Sequence, residues 1–161
     1  MHPDTDVWPK RFYDYNTFLK RRFGEKIYKI SIHAGFTCPN IDGTVGTGGC
    51  IYCDNRSFSP AIGYGELSIE KQLGIGMEVG RKHKAKKFLA YFQAYTNTHA
   101  PVERLEQIYA QALSHPEIVG ICIGTRPDAV DRTKIDYLEK LAQKTFRSEE
   151  HTSELQSRQS I

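Results

Sequence analysis

The chain has 161 residues, 39% of them hydrophobic and 25% charged, with a formal net charge of +3. That is the size of one domain with a real core, and the charge is too small to require a polyanionic partner. No run of about eighteen apolar residues exists, and MHPDTDVWPKRF at the N-terminus has neither the apolar run nor the cleavage site of a signal peptide, so the reading is a cytoplasmic protein with no membrane partner.

In chain order, the aromatic, basic stretch from Trp8 to Phe23 puts Tyr15, Phe18 and Leu19 at helical spacing and predicts a short helix with Asn16 as candidate N-cap. Residues 26–32, KIYKISI, alternate apolar and polar positions and read as a strand. A glycine-rich loop follows, GFTCPNIDGTVGTGGCIYCDN, which holds three of the four cysteines. Residues 68–84 read as a helix despite three glycines, with Ile69, Leu73, Ile75, Met77 and Val79 as its apolar positions. Residues 87–95, KFLAYFQAY, read as a buried strand. Residues 101–115 read as a helix with Pro101 in the first turn and Val102, Leu105, Ile108, Tyr109 and Leu113 on one face. Residues 117–124, EIVGICIG, form a third strand, nearly all apolar, as parallel strands covered on both faces are. Residues 133–144 are a further helix. Two basic runs, KRRFGEK and RKHKAKK, read first as solvated helix faces.

The apolar periodicity stops near Phe146, which divides the chain into a folded part, 1–146, and a tail, 147–161. The tail's first eleven residues, RSEEHTSELQS, are identical to the in-frame translation of a common sequencing-library adapter, so the tail is expected to be non-native and the folded part truncated.

Strand and helix in alternation predict parallel βαβ units, and ligands of such folds collect at the carboxyl ends of the strands. The segments there are the cysteine loop, QAYTNT at 93–98 and GTRPD at 124–128. Cys38, Cys50 and Cys53 are spaced C-x11-C-x2-C. In a reducing compartment such a group is a metal or redox site before it is a disulfide framework. Four thiolates would close a zinc site, whereas three leave one iron of a [4Fe–4S] cluster open; spacing alone leaves both possible. Cys122, inside an apolar strand, reads as a small buried hydrophobe, and His33 as a packed residue.

The segments KISIHAGFTCPNIDGTVGTGGCIYCDN, AYFQAYTNTHAP and GTRPDAVD together resemble the radical S-adenosylmethionine (SAM) superfamily, in particular a bacterial subgroup related to the catalytic subunit of Elongator. Ile41 departs from the basic residue expected in its P-N-x-D-G turn. The resemblance implies an α/β fold, the N-terminal half of a partial (βα)6 TIM-like barrel with parallel strands. It implies that Cys38, Cys50 and Cys53 ligate a [4Fe–4S] cluster whose open iron chelates SAM. One-electron cleavage of SAM would then yield a 5′-deoxyadenosyl radical that abstracts a substrate hydrogen. Tyr52 would lie near the adenine, and Gln93, Asn97 and Thr98 stand where the superfamily places a Gly-Gly-Glu motif that this chain lacks. Thr125 and Arg126, with Asp128, would reach SAM or substrate. The implied partners are a reductant such as flavodoxin or ferredoxin and, by relation to Elongator, a tRNA substrate. The competing reading is a zinc-binding module that contacts nucleic acid through its basic runs without catalysis.

Overall fold

The computed structural model describes residues 12–144 and 146–147. Helix α1 (Tyr15–Phe23) starts at Asp14, whose carboxylate accepts the Thr17 N–H at 2.8 Å; Asp14 and not Asn16 is therefore the cap. Gly24 ends the helix in the left-handed region, and strand β1 (Ile27–Ile32) follows. Beyond the cysteine loop come a short helix, α2 (Asn55–Phe58), and a longer one, α3 (Ile69–Lys82). The remaining elements are β2 (Lys87–Phe92), α4 (Val102–Leu113), β3 (Ile118–Ile123), α5 (Arg132–Lys144) and the two-residue β4 (Phe146–Arg147).

The four strands lie in the order β1-β2-β3-β4, every neighbouring pair parallel. Ile27 faces Lys87 and Ile32 faces Phe92, while the β2–β3 register slips once between Phe88 and Leu89. The fold is thus α/β with a parallel sheet, as the alternation predicts. Two apolar layers form because side chains alternate across a strand. On one face Ile30, Ile32, Phe88, Ala90, Phe92 and Ile121 meet Leu73 and Met77 of α3, Leu105, Ile108 and Tyr109 of α4, and Leu138 of α5. On the other, Ile27, Leu89, Tyr91 and Cys122 are covered by Leu19 of α1.

Helix α3 differs from its sequence reading. Ile75 and Val79 are each 39% exposed, and the buried side is Ile69, Gln72, Leu73, Met77 and Gly80. The reason is close approach to the sheet: a Cβ on Gly76 would stand 2.2 Å from Ile30 Cγ2, and one on Gly80 would stand 2.6 Å from Phe88 Cε1. Gly74 has open space around it. Gly74→Ala should therefore stabilise the fold by about 1 kcal/mol through helix propensity. Gly76→Ala should destabilise it by about 1–3 kcal/mol, because overpacking outweighs the same gain. Paired urea titrations check this, and a stabilised Gly76→Ala variant would show that the helix can lift off the sheet at little cost.

Strand β4 carries the sheet one residue past the boundary expected at Phe146, since Arg147 pairs with Ile121. The rest of the expected tail, residues 148–161, lies outside the described residues. The run KRRFGEK spans the end of α1 and the turn into β1, and RKHKAKK spans the end of α3 and the start of β2. Both sit where strands begin, the opposite end from the cysteine loop. Among the described residues no helix is long and apolar enough to cross a membrane.

Candidate functional site

The root of the cysteine loop is fixed from beneath by Gln72. Its side chain is 1% exposed; Oε1 accepts the His33 N–H at 2.8 Å, and Nε2 donates to the carbonyls of His33 at 2.8 Å and Leu67 at 2.9 Å. A buried amide with its donors and acceptor matched in this way locks α3 to the end of β1. His33 itself is packed, edge-on to Tyr95, and its Nδ1 accepts the Gly35 N–H at 3.1 Å. Burial pushes its imidazole below the ordinary value.

The loop then folds on itself. The N–H groups of Ile41 and Asp42 donate to the Cys38 carbonyl, Gly49 N–H donates to the Asn40 carbonyl at 2.9 Å, and Asp42 bridges Thr47. Gly48 and Gly49 have φ of +83° and +79°, a conformation that admits the tight return into Cys50. Cys53 N–H donates to the Cys50 carbonyl at 2.9 Å, so the C-x2-C pair spans one turn. The loop is also tied to the neighbouring strand ends. Thr96 N–H donates to the Thr37 carbonyl at 3.1 Å, Tyr95 N–H to Asn55 Oδ1 at 3.2 Å, and His99 Nε2 to Asp42 Oδ2 at 2.8 Å. Tyr95 holds a left-handed φ of 64° at this junction, which ends β2 at Phe92, short of the expected Tyr95.

Two of the three thiols have side-chain donors aimed at sulfur. Asn40 Nδ2 donates to Cys50 Sγ at 3.0 Å, and Arg126 Nη1 to Cys38 Sγ at 3.6 Å. Burial raises the Cys38 thiol, but hydrogen bonds from Thr96, the Asn40 backbone and Arg126 outweigh it and hold the thiol below its ordinary value. Burial and then the charges of Cys50, Cys38 and Asp54 push the Cys53 thiol up. Cys122 lies elsewhere, fully buried in β3, with the Tyr15 hydroxyl 3.8 Å from its sulfur. Among the described residues no group of three or more His, Cys, Asp or Glu side chains is placed to hold a metal ion.

The other residues singled out from the sequence divide into two groups. Tyr52 is 83% exposed on the loop and hydrogen-bonds Cys50, which raises its phenol. Gln93 stands half-buried just past β2, with Ser31 Oγ donating to its Oε1 at 3.5 Å. Arg126 forms a two-pronged pair with Asp128, Nε to Oδ1 at 2.7 Å and Nη2 to Oδ2 at 2.5 Å. That pair orients the guanidinium and leaves Nη1 for Cys38.

Asn97 and Thr98, by contrast, are fully buried. Asn97 Nδ2 donates to the carbonyls of Gly124 at 2.9 Å and Phe92 at 3.0 Å, and Tyr109 Oη donates to the Asn97 carbonyl at 2.7 Å. Thr98 shares a short hydrogen bond with Thr125 and donates to the Ala129 carbonyl at 2.9 Å. Both residues stitch the ends of β2 and β3 together beneath the surface, and neither presents an accessible contact; nor does either cap α4, whose cap position is Pro101. Gln72 carries no part in the sequence reading, and Asn40, Asp42 and His99 enter it only as positions within quoted segments, yet the four hold the loop.

No family model and no solved structure matches the chain. Curated proteins similar to it include YhcC of Escherichia coli (strain K12), 47% identical over 120 residues, 74% of this chain and 38% of YhcC; the uncharacterized protein YtqA of Bacillus subtilis (strain 168), 40% identical over 138 residues, 85% of this chain and 43% of YtqA; and the uncharacterized protein MJ0486 of Methanocaldococcus jannaschii, 36% identical over 129 residues, 79% of this chain and 39% of MJ0486. The chain therefore spans about two fifths of the length of the curated relatives it matches.

Proposed function

We propose that this chain carries the N-terminal part of a radical SAM enzyme, with Cys38, Cys50 and Cys53 as the ligands of a [4Fe–4S] cluster. The observation that carries the reading is one glycine-rich loop at the carboxyl end of β1 that brings three thiols into a common neighbourhood, with N–H donors directed at two of the sulfurs. Thiolate donors and second-layer N–H groups are the chemistry that iron–sulfur clusters require. A single zinc ion needs all its donors within about 2.3 Å of one point. A cluster spreads its thiolates over different irons.

The fold supports a partial (βα)6 barrel. Strands in sequential order, with α3, α4 and α5 packed on one face and α1, which precedes β1, on the other, fit a sheet wound in one direction; a doubly wound sheet reverses its order and places crossover helices on both faces. Held by Cys38, Cys50 and Cys53, the cluster would supply one-electron reducing chemistry for the cleavage of SAM to a 5′-deoxyadenosyl radical. The chain's own share is to hold and orient. Tyr52 borders the thiols from the solvent side, Gln93, Thr125 and Arg126 line the rim, and Asn97 and Thr98 fix the rim from below. Arg126, paired with Asp128, presents a guanidinium suited to a carboxylate. A flavodoxin or ferredoxin would deliver the electron. For the substrate, tRNA is supported by the resemblance to Elongator's catalytic subunit alone.

Anaerobic purification of the 161-residue chain followed by iron, sulfide and zinc analysis tests the reading. Brown protein with about four irons and four sulfides, bleached by dithionite, is the expected result. Colourless protein with bound zinc would overturn it in favour of the zinc-binding module, and protein with neither metal would overturn both.

A further inference from the structure

We propose that Asn40 and Arg126 set the reduction potential of the cluster, each through an N–H···S bond to a different thiolate. The inference rests on the cluster reading above and adds to it a role that two side chains perform through the thiolates themselves.

Asn40 sits two residues after Cys38, in the turn closed by the Ile41 and Asp42 N–H groups donating to the Cys38 carbonyl; its position is fixed by the Gly49 N–H, which donates to the Asn40 carbonyl at 2.9 Å. That backbone bond brings the Asn40 side chain back over the return strand of the loop, where Nδ2 meets Cys50 Sγ at 3.0 Å. Arg126 arrives from the end of β3, 88 residues along the chain from Cys38, with its guanidinium oriented by Asp128. Cys53 receives no side-chain donor among the described residues, so the three ligands are unequal. Two stand under donors and the third, exposed, does not.

One-electron reduction adds negative charge that is shared by the irons and the thiolate sulfurs, and no bond is made or broken. A donor held against sulfur stabilises the reduced form more than the oxidised one and raises the potential. The amide contributes a dipole and the guanidinium a full charge, part of which Asp128 offsets. Reduction of the cluster thereby becomes accessible to a biological donor without any change in the ligand set.

The test is an EPR-monitored redox titration of the anaerobically reconstituted chain, wild type against Asn40→Ala. The variant is expected to keep its iron and to show an equilibrium constant for reduction about fivefold lower, a fraction of the strength of a hydrogen bond to a charged group. A variant with full iron content and an unchanged potential overturns the inference. If Asn40→Ala loses its iron, an Asn55→Gln protein carrying asparagine labelled with 15N in the side chain decides the matter, because Asn40 is then the one labelled amide in the cysteine loop. A hyperfine coupling from the label to the reduced cluster supports the bond, and its absence overturns it. Wild-type protein without iron would instead sink the cluster reading, a result separable from an unchanged potential.

Discussion

Replacement of Cys38, Cys50 or Cys53 by alanine is expected to abolish cluster binding, while Cys122→Ala keeps it. A cluster on three protein ligands has no spare thiolate, and the fourth cysteine cannot stand in, because it is fully buried in β3 among Leu19, Leu89 and Tyr91. Cys122→Ala should appear in stability instead, as a modest loss from a small cavity in that layer. The contrast is read by iron and sulfide content beside the melting temperature of each variant. An iron-free Cys122→Ala protein, or an iron-replete Cys50→Ala protein, would reverse the assignment.

The largest expected effect on folding comes from Asn97. Asn97→Asp replaces an amide that donates to the Phe92 and Gly124 carbonyls with a carboxylate that faces the same oxygens at 0% exposure. An uncompensated buried charge destabilises by roughly 3–5 kcal/mol, most of the stability of an ordinary domain. Asn97→Ala removes the donors without the charge, and each carbonyl keeps a backbone partner, Gly124 N–H for Phe92 and Asn97 N–H for Gly124. Its loss should be about 2–3 kcal/mol from hydrogen bonds and cavity together. Urea midpoints at unchanged m-value separate the two. An aspartate variant within about 1 kcal/mol of wild type would mean that this junction admits water.

The legible and illegible parts of the chain differ in how far apart the deciding residues lie. Helix α4 was readable because Leu105, Ile108 and Tyr109 are buried at the spacing that their own segment displays. Strands β1 and β3 were readable from alternation and from a continuous apolar run. Helix α3 was readable as a helix but not as a face, because glycines at 76 and 80 leave no apolar mark while they set which side meets Ile30 and Phe88. The N-cap of α1 fell two residues from its expected place, since Asp14 and Asn16 are both competent caps and only the fold chooses between them.

In the site, the cysteines announced themselves by spacing. Their supports did not. Gln72 reaches His33 across 39 residues, and His99 reaches Asp42 across 57, so neither pair leaves a local pattern. Asn97 and Thr98 stand out in the sequence as polar residues just past a strand, and in the structure that polarity serves the junction between β2 and β3.

The two ends of the sheet are chemically unlike, and that separation limits how a polyanion could use them. Strands β1 and β2 are six residues long each, so the lysines and arginines clustered at their starts stand about 20 Å from the thiols at the far end. A nucleic acid anchored at the positive pole would not have its reacting nucleotide near sulfur unless it wrapped the length of the strands. Added salt would then weaken capture while leaving the chemistry at the opposite pole untouched, which makes ionic strength a probe that separates docking from turnover.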